Sequence, residues 1–129
     1  MLEVVVDADP REGSTMPYVT DPEERRAIIQ GMVQKIVDHC DPVQVILFGS
    51  HARGTADEQS DVDLLVVLRE APANKLDASI GLYQALMESE LPKDIIVSSA
   101  EEVVVHRQLP GTIVGTAARE GMVIHERTD

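Results

Sequence analysis

Val45-Ile46-Leu47-Phe48-Gly49-Ser50, followed after a polar segment by Asp61-Val62-Asp63-Leu64-Leu65-Val66-Val67, sets the architecture of this chain. Val43 to Phe48 is a short, continuous, β-branched apolar run and predicts a buried strand, and Val62 to Leu68 predicts a second. Side chains at i and i+2 of a strand share a face. Asp61 and Asp63 should therefore point the same way from the start of the second strand, with Val62 turned into the other face.

Two carboxylates about 6–7 Å apart repel by about 3 kcal/mol at an effective dielectric of 20. By itself such a D-x-D reads as well as a solvated strand end as it does as a seat for a hard divalent cation such as Mg²⁺. Gly49-Ser50 favours the second reading. A glycine after a strand lets backbone N–H groups approach a phosphate closely, and Ser50 is placed to cap a short helix whose N-terminus attracts anions. A phosphate cradle beside paired acids suits a metal-bridged nucleoside triphosphate. Arg53 lies three residues after Ser50, about one helical turn on. It either pairs with Asp57 or Glu58, or donates charge-assisted hydrogen bonds to the triphosphate.

G-S-H-A-R-G-T followed by S-D-V-D-L-L-V-V resembles the signature of the nucleotidyltransferase superfamily that includes DNA polymerase beta. The ten residues His51 to Ser60 separate Ser50 from Asp61. That spacing is similar to the minimal nucleotidyltransferases, the MNT proteins encoded beside HEPN-domain partners. Asp94-Ile95-Ile96-Val97 and the closing A-R-E-G-M-V-I-H-E segment also look like these small proteins, so the resemblance runs from about Glu23 to Glu126. It implies an α/β (α+β) nucleotidyltransferase fold, with helices packed on a small mixed sheet of three to four strands. It also implies ATP as substrate, two Mg²⁺ ions, and transfer of AMP to a tyrosine of a HEPN toxin. Gly49, Ser50 and Arg53 would bind the nucleotide, and Asp61 and Asp63 the metal. Asp94 alone is a strand-end acid; the family pattern makes it the third metal ligand, or a general base.

The 129 residues are enough for one domain, expected over 21–126 behind a flexible arm at 1–20. Leu2 to Val6 could add an edge strand. A hydrophobic share of 43% with aromatics at 2% predicts an aliphatic core and no platform for stacking successive bases. A net charge of −12 argues against gripping a nucleic-acid backbone. It is compatible with a nucleotide that brings its own cations, or with a basic protein partner. Cys40 is the single cysteine and reads as a packing residue. With no secretory leader and no apolar run of about 18 residues, a cytoplasmic protein outside the membrane is expected.

Asp21-Pro22-Glu23-Glu24 opens a helix that should end near His39, with Ile28, Ile29, Met32, Val33, Ile36 and Val37 on its apolar face. Ala73 to Ser89 predicts a second helix, with Leu76, Ile80, Tyr83 and Met87 along its buried stripe. Lys93 to Val97 predicts a third strand. Ser99 and Glu102 form a capping box, Thr112 to Glu120 a last helix, and Met122 to His125 an edge strand.

Three functional readings follow. The first is an enzyme whose acceptor hydroxyl comes from a partner protein, since the chain has no room for an acceptor-binding domain of its own. A small-molecule nucleotidyltransferase of the aminoglycoside type would carry an extra helical domain. A non-catalytic antitoxin or nucleotide-binding docking module would not need Gly49-Ser50 with all three acids.

Overall fold

The computed structural model describes residues 21–56 and 60–128. The expected arm and strand within 1–20, and the partners Asp57 and Glu58 considered for Arg53, lie outside the described residues. The elements are α1 (Pro22–Cys40), β1 (Gln44–Phe48), α2 (Ser50–Arg53), β2 (Val62–Leu68), α3 (Lys75–Ala85), β3 (Lys93–Ser99), α4 (Ala100–Arg107), α5 (Ile113–Glu120) and β4 (Met122–Glu126).

The strands form one mixed sheet in the order β3-β2-β1-β4. β1 runs antiparallel to both β2 and β4, whereas β2 and β3 are parallel. A parallel pair needs a crossover, and α3 provides it between β2 and β3. Helices cover both faces, so β1 and β2 are buried on both sides and read as continuous apolar runs rather than alternating ones. Val62, Leu64 and Val66 face one core with Met32 and Ile36 of α1 and Leu82 of α3. Leu65 and Val67 face the other core with Val103 of α4 and Val114 and Ala117 of α5.

Local chemistry explains the helix ends. The Asp21 side chain accepts from Glu23 N at 3.0 Å, and Asp41, at φ 48°, closes α1 in the left-handed region. The Ser99 hydroxyl accepts from Glu102 N at 3.1 Å, as the capping box predicts. Thr112 caps α5 by accepting from Gly115 N at 3.0 Å. Cys40 is half-buried, and burial followed by the charge of Asp41 raises its thiol above the usual value, in keeping with a packing role.

The second helix differs from expectation. It is shorter, Lys75–Ala85 with Asn74 as cap, and it is turned. Leu82 and Leu86 are buried, whereas Leu76, Ile80, Tyr83 and Met87 are exposed. Apolar residues lie around much of this helix, so its periodicity gives no direction. Packing decides: the stripe that meets α1 and β3 is Ala78, Leu82 and Leu86, because α3 must close the end of the sheet beside them.

Candidate active site

The site is assembled at the starts of β2 and β3. Val62 N donates to Pro92 O at 2.8 Å, which locks the two strand starts together. The register that follows sets Asp63 directly opposite Asp94. In paired strands, opposite residues project from the same face, so the two acids share the side of the sheet to which Leu65 and Ile96 belong. Asp61 precedes β2 by one residue and is exposed.

On the other side of β2, Phe48 pairs with Asp63, which brings Gly49 onto that carboxylate. Gly49 has φ 75° and ψ −154°, a conformation that favours glycine. A Cβ built on it would fall on Asp63 Oδ2. Two independent constraints, backbone conformation and close approach, therefore demand glycine here. Gly49 itself occupies the cap position of α2 with no side-chain hydrogen bond, and Ser50 is the first helical residue. This corrects the expectation that Ser50 caps the helix. The positive-φ, extended conformation of Gly49 places Ser50 already inside the helical turn, half-buried.

The short helix is anchored at both ends. Arg53 N donates to Gly49 O at 3.1 Å and Thr55 N to Ser50 O at 3.0 Å. His51 Nε2 lies 3.3 Å from Ser60 O, tying α2 to the segment that leads into Asp61. His51 is thus a neighbour of the site, as expected.

The electrostatics report the clustering. Burial, then the charge of Asp94, then that of Asp61 push the Asp63 carboxyl above its usual value, and His51 and Arg53 oppose the rise. Arg53 is exposed, yet its charge is felt at Asp63. Like charges held together are relieved by a divalent cation, and an all-carboxylate donor set suits Mg²⁺, so the residues fit that ion. The expected three-acid seat is not preformed. Among the described residues, no group of three His, Cys, Asp or Glu stands at ligand spacing. Asp63 nonetheless feels the charges of both Asp94 and Asp61.

Tyr83 was missed by sequence reasoning, which read it as packing. Its hydroxyl donates to Asp94 Oδ1 at 3.3 Å and accepts from Ile95 N at 2.8 Å. A signal was available: a tyrosine has an apolar body and a polar tip that seeks a partner when it is partly covered. A cavity of about 480 Å³ opens farther along β3, lined by Leu76, Ile96, Glu102, His106 and Ile113 among others. None of the three acids lines it.

A profile of the family described as "Nucleotidyltransferase domain" matches residues 26–110, more than half of the chain and all of this site. The chain belongs to the nucleotidyltransferase domain family. It is 45% identical over 60 residues to a Methanocaldococcus jannaschii protein named "Putative protein adenylyltransferase MJ1305", covering 46% of this chain and 40% of that one. A second protein of that organism, "Putative protein adenylyltransferase MJ0141", is 44% identical over 55 residues, covering 43% and 54%. The chain thus spans about half the length of these two relatives or less. "Protein adenylyltransferase MntA" of Thermococcus cleftensis is 32% identical over 91 residues, 64% of this chain and 92% of that protein. The fold is that of a solved Sulfolobus solfataricus structure described as "a putative nucleotidyltransferase", with a TM-score of 0.60 at 18% identity over 82% of this chain and 84% of that one. The fold class and the family resemblance read from the sequence are both borne out.

Proposed function

We propose that this chain transfers AMP from ATP to a hydroxyl of a second protein, and that this protein is a HEPN-domain toxin which the chain, as antitoxin, silences in the cytoplasm. The observation that carries the reading is the pairing of Asp63 with Asp94 beside a glycine whose side chain is excluded by the Asp63 carboxylate. The names of the adenylyltransferase relatives support AMP and a protein acceptor.

The N–H groups that open α2 have no helical partner and, with Arg53, receive the triphosphate. Asp61 and Asp63, with Asp94 as third ligand or as general base, would hold Mg²⁺, two ions in all, whose charge would neutralise the triphosphate and acidify the attacking hydroxyl. The acceptor oxygen attacks the α-phosphorus, a new O–P bond forms, and the bond to the bridging oxygen breaks as pyrophosphate leaves. The hydroxyl proton goes to Asp94 where that residue serves as general base in place of metal ligand, and otherwise to solvent. With its net charge of −12, the chain favours a basic protein surface over a nucleic-acid backbone.

The test incubates the purified chain with α-labelled ATP, Mg²⁺ and a HEPN-domain protein encoded beside it. Label on the partner that disappears with Asp63→Asn is the expected result. Tight association with no label, in wild type and variant alike, would replace this reading with a non-catalytic docking module.

A further inference from the structure

We infer that Tyr83 is the positioning residue for Asp94, a link from α3 that orients the third carboxylate toward divalent ions; the inference rests on the proposed metal-dependent site. Asp94 is the second residue of β3, and β3 is an edge strand. Its side chain is exposed, so the strand alone leaves the carboxylate free to rotate. Tyr83 removes that freedom. The phenol oxygen accepts from Ile95 N at 2.8 Å, which fixes the oxygen against the backbone beside Asp94. A hydroxyl that accepts this bond directs its own proton elsewhere, and Asp94 Oδ1 lies 3.3 Å away. The relay from Ile95 N–H through Tyr83 O–H to Asp94 therefore engages Oδ1 and biases the orientation of the carboxylate.

Leu82 and Leu86, on either side of Tyr83 in sequence, are buried in the core beneath the sheet. Tyr83 is itself exposed at 38%, more than packing alone would ask of an aromatic ring. Its hydroxyl has two polar partners, and both belong to the strand that carries the acid. Partners that hold a metal-ligating carboxylate typically change metal affinity or activity by about 10–100-fold when removed.

The experiment titrates Mn²⁺ in the presence of ATP, read by electron paramagnetic resonance, on wild type, Tyr83→Phe, Asp94→Asn and the double variant. Thermal midpoints without metal are recorded alongside, and the ATP KM and kcat are compared. Tyr83→Phe should weaken Mn²⁺ binding about 10-fold and lower kcat similarly, with the ATP KM nearly unchanged. In the Asp94→Asn background it should do nothing further, because its effect passes through that carboxylate. If Tyr83→Phe proves unstable, Tyr83→Gln, which keeps a donor and an acceptor, should hold Mn²⁺ better than Tyr83→Leu.

Equal Mn²⁺ affinity in Tyr83→Phe and wild type, while Asp94→Asn is impaired, would overturn this inference and leave the proposed function standing. Additive losses in the double variant would also overturn it, by making the role structural, and AMP recovered on Tyr83 would do so by making it an acceptor. If Asp94→Asn itself binds Mn²⁺ and turns over normally, the reading of the site fails and the role of Tyr83 fails with it.

Discussion

Asp63 on β2 and Asp94 on β3 stand directly opposite each other across a parallel strand pair, although Leu64 to Lys93 separate them in the chain. Burial, and then the charge of Asp94, hold the Asp63 carboxyl above its usual value. The fold thus keeps together charges that would separate in the unfolded chain.

That arrangement predicts opposite effects on activity and stability for Asp63→Asn. AMP transfer should fall about 100-fold or more, equivalent to about 2.7 kcal/mol. The metal-free protein should become slightly more stable, by less than about 1 kcal/mol because the site is open to solvent screening. The sign follows from the raised value: the folded state holds the Asp63 proton more tightly, so ionisation opposes folding as pH rises above the usual 3.8 and through the raised value. Thermal melts in EDTA at neutral pH, beside the labelled transfer assay, check both halves. A variant less stable than wild type would refute the charge argument.

Gly49→Ala should damage both fold and site. A side chain at φ 75° is strained, and its Cβ would displace the Asp63 carboxylate. A loss of about 1–3 kcal/mol is expected in urea unfolding, with transfer activity greatly reduced even where the protein remains folded. Gly54→Ala is the control: it has φ 76° but open space around it, so it should show the conformational penalty with little loss of Mn²⁺ binding.

Acid should weaken the attachment of α4 to α3. Burial tends to raise the Glu102 carboxyl, but hydrogen bonds from Lys75 and Ser98 and the charges of Lys75 and His106 outweigh it, and the net value falls below the usual 4.5. A lowered acid contributes stability above its unfolded value, and that contribution is lost as pH falls through the folded one. Lys75 Nζ lies 2.7 Å from Glu102 Oε1, and Ser98 Oγ donates to Oε1 at 2.8 Å. Glu102→Gln should therefore lower the unfolding free energy at pH 7 by less than about 1 kcal/mol, with a smaller effect as pH falls below the usual 4.5 toward 3. An equal effect at both values would contradict the assignment.

The turned second helix makes a further prediction. Leu86→Ala, at a position 0% exposed, should cost about 2–5 kcal/mol. Met87→Ala, at 72% exposed, should stay within about 0.5 kcal/mol of wild type. Chemical unfolding of the two variants decides between this face and the one that periodicity suggested.

Much was legible in the sequence because its causes are local. The apolar runs at Val45 and Val62 could only be buried strands, Asp21 and Ser99 announce their helices, and a Gly-Ser turn ten residues before a D-x-D carries the family signature. Alternation along one strand was enough to turn Val62 inward, where it is buried with Leu64 and Val66. The buried face of α3 was not legible, since its apolar residues point in several directions and the choice among them is made by what they pack against.

From its order of residues alone, the chain determines its strands, the caps at Asp21 and Ser99 and the family to which it belongs, because each depends on interactions among near neighbours. Tertiary structure alone decides that Asp94 meets Asp63, that Gly49 must lack a side chain to make room for a carboxylate, and that the Tyr83 hydroxyl meets Asp94. Those relationships depend on strand register and helix rotation, which are set by contacts between segments far apart in the chain and leave no periodic trace in it.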